Sequence, residues 1–82
     1  MLGKMTITPA QCRAARGLLG IDQATLAQWS NISRNTIVSF ESGQRVPGAN
    51  NQEAIQRALE STGVIFVEEN GEGPGVRLRK GK

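Results

Sequence analysis

The chain has 82 residues, of which 38% are hydrophobic and 21% are charged, so we expect one small folded domain rather than a disordered segment. A single cysteine and no histidine exclude an internal disulfide and a small zinc module, and we expect no metal or other cofactor. The net charge of +3 makes an anionic partner plausible, although charge alone does not distinguish nucleic-acid binders from other small basic proteins.

The first predicted element is a helix that spans Pro9–Leu19. Thr8 before a proline is typical of an N-cap followed by the first helical position, and Gly20 suits the left-handed residue just after a helix. Residues spaced by three and four then form one inward stripe, which consists of Cys12, Ala15, Arg16 and Leu19. The arginine on this stripe needs a partner, whereas the cysteine suits a core position better than a redox role.

Two short helices follow with almost no link between them. Asp22 caps a helix from Gln23 to about Ser30, and Ser33 is a good N-cap for a third helix that continues to Gly43. Only residues 31 and 32 separate the two helices, and so short a link is typical of a helix-turn-helix.

The last third of the chain changes from a helical to a strand pattern. Asn50, with Glu53 three residues later, predicts a capping-box start for a fourth helix, which is closed by Gly63. Val64–Val67 is then β-prone, and after a glycine-rich loop Val76–Arg79 alternates with period two, which predicts a hairpin. We therefore expect a mainly α fold of four helices with a C-terminal β-hairpin.

Three runs of residues carry a pattern that is specific in combination: Asp22–Ala27, Ile32–Ile37 and Phe40–Pro47. They contain Gln-x-x-Leu-Ala, a serine-capped third helix and Glu-x-Gly-x-x-x-Pro at fixed spacing. Roughly residues 8–63 thus resemble the phage-repressor class of helix-turn-helix domains (Cro/cI, xenobiotic-response-element or XRE). The resemblance implies a lambda-repressor-like domain whose third helix lies in the major groove of DNA. It does not extend to the hairpin.

The resemblance also implies which residues contact DNA. Arg34, Asn35 and Ser39 map to base-reading positions, and arginine suits guanine while asparagine suits adenine. The alternative for each is an ordinary solvated helix face. The candidates for phosphate contacts are Gln23, Asn31, Thr36 and Arg45. For Gln23 and Arg45 the alternatives are an exposed first-turn residue and a solvated loop charge.

Two further features are an ion pair within the fold and a tryptophan at a position that is usually polar. Arg16 and Glu41 resemble the ion pair that links the first helix of this family to the end of the third. Trp29 stands where the family usually has a polar residue, so we expect it either to contact a partner protein or second subunit or to fold back on the hairpin.

We assign residues 1–63 to the helix-turn-helix domain and residues 64–82 to a hairpin and basic tail of the same domain. One recognition helix reads few base pairs, so we expect a symmetric homodimer on a palindromic operator. The hairpin would pack on the fourth helix and contribute to the dimer through Val64, Phe66, Val76 and Leu78. The alternative is a hairpin that only caps the monomer's core, with Arg77, Arg79, Lys80 and Lys82 as a solvated tail.

The function that these observations predict is sequence-specific binding of duplex DNA by a transcriptional regulator, as a repressor. The alternative is a protein-interaction module, such as an antitoxin or anti-activator, with secondary DNA binding. We do not expect an enzyme, because the chain has no histidine, no paired-carboxylate motif and no phosphate loop between a strand and a helix. No run has the length of a membrane span, so we expect a cytoplasmic protein without membrane contact.

Overall fold

A computed structural model describes residues 6–80, and these form four helices followed by a two-stranded antiparallel hairpin. The elements are α1 (Pro9–Leu19), α2 (Gln23–Ser30), α3 (Arg34–Glu41), α4 (Ala49–Glu60), β1 (Val64–Val67) and β2 (Gly75–Leu78). The predicted fold class is confirmed. Residues 1–5, 81 and 82 lie outside the described residues, and with them Lys82 of the predicted tail. Within residues 6–80, no helix is both long and apolar enough to cross a membrane.

The first three helices begin at the predicted caps. The Thr8 hydroxyl accepts a hydrogen bond from the backbone N–H of Gln11, and the Gln11 side chain accepts one from the N–H of Thr8. Asp22 and Ser33 accept from backbone N–H groups three residues on, at 2.8 and 3.1 Å. Each cap satisfies donors that a helix start leaves without intrahelical partners, so these short helices have fixed first residues.

The fourth helix begins differently from the prediction. Its N-cap is Gly48, which has no side chain to form a capping bond, and Asn50 already lies inside the helix. The Glu53 carboxylate binds Arg57 one turn later, at 2.5 Å, instead of closing a capping box with Asn50. The predicted capping box is therefore wrong, and the helix starts two residues earlier, at Ala49 instead of residue 51.

The bounds of three elements also differ from the prediction by a few residues. The third helix ends at Glu41 rather than Gly43, because Gly43 takes a left-handed φ of 81° and the next N–H groups turn back to the carbonyl of Ser39. The fourth helix ends at Glu60, and Gly63, the predicted closing glycine, lies at the end of the following turn with a left-handed φ of 105°. The second strand is Gly75–Leu78, one residue earlier than predicted.

The hydrophobic core lies between the four helices and one face of the hairpin. Val64 and Phe66 of β1 are buried in it, while β2 packs mainly on α1 and β1 contacts α4. The prediction that the hairpin packs on the fourth helix is thus correct only for β1. The buried apolar side chains are Ile7, Cys12, Ala15, Leu26, Ile37, Phe40, Ile55, Leu59, Val64 and Phe66.

A buried glutamine joins the hairpin to the first helix. Gln11 is 4% exposed, and its amide nitrogen donates to the carbonyl of Val67 at 3.2 Å and to that of Gly75 at 2.9 Å. These two residues face each other across the strands, so one side chain holds both strands beside the start of α1. Its amide oxygen accepts from Thr8, which leaves no part of the amide without a partner.

We expect Gln11→Ala to lower the free energy of unfolding by about 1–3 kcal/mol, because two carbonyls lose their donor and the capping box loses one bond. Urea unfolding of the full chain measures this change. Gln28→Ala, in the exposed face of α2, is the control and should stay within about 0.5 kcal/mol of the parent. Equal effects of the two substitutions would contradict the anchoring role.

Candidate nucleic-acid interface

The third helix has one buried and one exposed side. Ile37, Phe40 and Glu41 face the core, whereas Arg34 and Asn35 are exposed and contribute no side-chain bond to the fold among the described contacts. Ser39 lies on the exposed side but is only half-exposed, and the hydroxyl of Ser42 donates to its carbonyl. The three predicted base-reading residues therefore share the outer side of α3, where their contacts with DNA remain a prediction.

The candidates for phosphate contacts lie before, within and after this helix, and they differ in exposure and in the hydrogen bonds that their side chains form. Asn31 is exposed and ends α2 in the left-handed conformation, with φ of 60°. The hydroxyl of Thr36 lies 2.9 Å from that of Ser33, so it takes part in the helix cap. Arg45 is exposed in the loop after α3. Arg45 is thus the one cation among these four candidates, and its side chain is exposed.

Gln23 has an internal partner that the sequence did not indicate. Its side-chain nitrogen donates to Oε1 of Glu41 at 3.1 Å, which directs the amide toward the interior of the helix-turn-helix. A phosphate contact by this amide would have to use its other N–H. A role of Gln23 in DNA binding is thus tied to the position of Glu41.

The carboxylate of Glu41 is the centre of a buried polar cluster. Arg16 donates to it twice, from Nε to Oε2 at 2.7 Å and from Nη2 to Oε1 at 2.6 Å, and the thiol of Cys12 donates at 3.1 Å. Arg16 also donates to the carbonyl of Ile21, and Arg13 donates to the main-chain carbonyl of Glu41. With the bond from Gln23, this cluster joins α1, α2 and the end of α3.

The ionisation of the cluster follows from its burial and its bonds. Burial acts to raise the pKa of the Glu41 carboxyl, but the bonds from Arg16, Cys12 and Gln23 together outweigh it, so the pKa lies below its ordinary value. The bond to Glu41 raises the pKa of the Arg16 guanidinium. Burial raises the pKa of the Cys12 thiol, so it stays protonated and acts as a donor. The pair is therefore charged at neutral pH.

The residues predicted to contact a partner divide into buried and exposed groups. Val64 and Phe66 are 1% and 9% exposed, so they support the hairpin from inside and are not available as contacts to a second subunit. Val76 is half-buried against the core, while Trp29 and Leu78 each leave 44% of their surface exposed. Only Trp29 and Leu78 of this set are open to a partner.

Sequence reasoning assigned no role to Gln11 or Arg13. Gln11 stands at the third position of α1 after a threonine cap, a spacing that indicates a capping box, but nothing local indicates its bonds to the hairpin. Arg13 gave no signal, because its acceptor is a main-chain carbonyl 28 residues away. Within residues 6–80, no group of three or more acidic or cysteine side chains is placed to hold a metal ion.

The helix-turn-helix family model matches residues 13–65, which is more than half of the chain. The chain therefore belongs to this family, which is of the XRE and Cro/cI type, and it is a DNA-binding helix-turn-helix regulator. The family is one of regulators rather than enzymes. No curated protein matches the chain. The matched range covers the whole Glu41 cluster except Cys12 and ends inside β1, so most of the hairpin lies beyond it.

Replacing Glu41 by glutamine removes the charge and changes the pH dependence of stability. The unfolded carboxyl has its ordinary pKa of 4.5 and the folded one a lower value, so the unfolded chain takes up the proton first as the pH falls. The stabilisation is thus complete above about pH 4.5 and is lost as the pH falls toward the folded pKa. In Glu41→Gln the stabilisation that comes from the ionised carboxylate should be absent at every pH.

Urea unfolding of both proteins over this pH range measures the difference. At neutral pH we expect Glu41→Gln to be less stable by on the order of 3–5 kcal/mol, because Arg16 is left without its countercharge. Glu72→Gln, in the exposed loop, is the matched control and should keep the parent's profile. If the free energy of unfolding depended on pH in the same way in the parent and in Glu41→Gln, the ion pair between Arg16 and Glu41 would not form.

Proposed function

We propose that the protein is a transcriptional repressor that binds a specific operator through α3 as a symmetric dimer. The observation that carries the proposal is the outer side of α3, where Arg34 and Asn35 stand exposed while the Glu41 cluster holds the opposite side against α1 and α2. Rigid support of this kind limits the side-chain and backbone ordering that binding would otherwise require. Occupation of promoter DNA then blocks transcription.

The roles of the side chains follow from their chemistry. Arg34 donates two hydrogen bonds to the O6 and N7 atoms of a guanine, and Asn35 pairs with the N6 and N7 atoms of an adenine. Ser39 contributes a hydroxyl near the same groove. Asn31, Thr36, Arg45 and the first turn of α2 at Gln23 contact phosphates, which fixes the register of the protein but reads no sequence.

The dimer in this proposal uses the hairpin of residues 64–82, which is an extension of the domain formed by residues 1–63. Its loop is acidic and the far end of β2 is basic, so charges of opposite sign lie at the two ends of one strand. Antiparallel pairing of two hairpins about a two-fold axis brings unlike ends together and covers Leu78. The acidic residues are Glu68, Glu69 and Glu72, and the basic residues are Arg77, Arg79 and Lys80.

A protein-interaction module, such as an antitoxin or anti-activator with secondary DNA binding, is the second candidate. It is favoured by Trp29, which exposes 44% of its surface at the end of α2, because exposed tryptophans often anchor protein interfaces. The two candidates differ in the DNA they require. The repressor distinguishes one sequence from random DNA, whereas the interaction module does not.

Replacing Arg34 by alanine tests the mode of DNA recognition. We expect a loss of about 1–3 kcal/mol on the preferred site, with relaxed discrimination at one base pair, because a bidentate base contact is removed. Arg45→Ala is the matched control, and it should weaken specific and random DNA alike and reduce the salt dependence. Fluorescence anisotropy with both DNAs measures these losses. Equal losses on both DNAs for Arg34→Ala would contradict its role.

Exchanging charges at the ends of the hairpin tests the dimer. Glu72→Lys and Arg79→Glu should each weaken association, since each brings like charges together, and the double variant should recover it. Sedimentation of the full chain at tens of micromolar reports the oligomeric state. A monomeric parent, or single variants that dimerise as well as the parent, would contradict pairing through the hairpin.

A further inference from the structure

One large apolar side chain stands on the outer side of α3. Val38 exposes 36% of its surface and lies outside the hydrophobic core and the residues packed against it. It stands four residues after Arg34 and three after Asn35, so it is their neighbour on the helix surface. A valine therefore interrupts the polar surface beside the two side chains proposed to read bases.

Folding gives only a weak reason for a valine at this position. A β-branched side chain loses rotamer freedom in a helix, and Val38 is buried only in part and outside the core. Single exposed apolar residues are common on proteins, so exposure alone decides nothing. The location of Val38 indicates a role, because α3 is only eight residues long and this valine is on the side that faces away from the core.

The spacing along the helix agrees with the spacing of stacked base pairs. Helical rise places Val38 about 6 Å beyond Arg34 and about 4.5 Å beyond Asn35 along the axis. Base pairs are separated by about 3.4 Å. When α3 lies in the major groove, Val38 thus faces a base pair one or two steps from those that the polar side chains meet.

The major groove offers an isopropyl group one matching partner. Base edges there present hydrogen-bond donors and acceptors, and the 5-methyl group of thymine is the apolar exception. A cytosine at the same place has only a hydrogen on C5, so the apolar contact with Val38 is lost. Valine therefore favours thymine over cytosine.

We propose that Val38 contacts the 5-methyl group of a thymine and so determines the preference for that base within each half-site. This inference rests on the proposed function, because it requires α3 to lie in the major groove. It adds an apolar contact to the hydrogen bonds of Arg34 and Asn35. The contact removes water from the valine and the methyl group together, and it contributes nothing on uracil, which lacks the methyl group.

The experiment replaces thymines one at a time by deoxyuridine in the site selected from random DNA, and it measures Kd for each duplex. The parent should bind about fourfold more weakly per half-site at one position, which corresponds to about 0.8 kcal/mol for a methyl-sized group. Val38→Ala should bind the thymine and uracil duplexes equally. Alanine favours helix formation, so this variant should fold.

Val46→Ala provides the matched control, because Val46 is 80% exposed but lies in the loop after α3. It should keep the parent's sensitivity to deoxyuridine. A site without any methyl-sensitive position, or equal sensitivity in the parent and Val38→Ala, overturns the inference while leaving the repressor proposal in place. If no sequence is selected from random DNA, the proposed function fails and this inference fails with it.

Discussion

The buried carboxylate of Glu41 is the constraint on which the arrangement of the first three helices depends. A charge at this depth is stable only if donors surround it, and here they come from Cys12 and Arg16 of α1 and from Gln23 of α2. Because each bond has a narrow range of length and direction, satisfying all of them fixes α3 relative to the other two helices. The exposed side of α3, with Arg34 and Asn35, is set by this arrangement.

A second buried polar group fixes the position of the hairpin, as Glu41 fixes the positions of the first three helices. The neutral amide of Gln11 binds one carbonyl from each strand and the N-terminal turn of α1. The hairpin in turn supplies Val64 and Phe66 to a core that would otherwise be very small. Within residues 6–80, no buried side-chain nitrogen or oxygen lacks a partner. The domain thus combines a modest apolar core with two fully satisfied polar anchors.

The parts of the fold that local signals determine were predictable from the sequence. Thr8, Asp22 and Ser33 are strong N-caps, and the starts of the first three helices follow from them. The start of α4 was not predictable, because Gly48 carries no capping side chain. The partners of Gln11 lie 56 and 64 residues away, and no periodicity encodes contacts of that range. In the candidate interface, the position of Arg34 followed from the resemblance to the family, whereas the bond between Gln23 and Glu41 depends on how two helices pack.

The central claim is that α3 reads a specific sequence and that two copies do so together. The most direct test is selection of duplexes from a random pool by the purified full chain, followed by sequencing of the bound fraction. We expect an enriched inverted repeat whose half-sites are separated by about one helical turn, or about 10 base pairs. A bound fraction with no enriched sequence would contradict it.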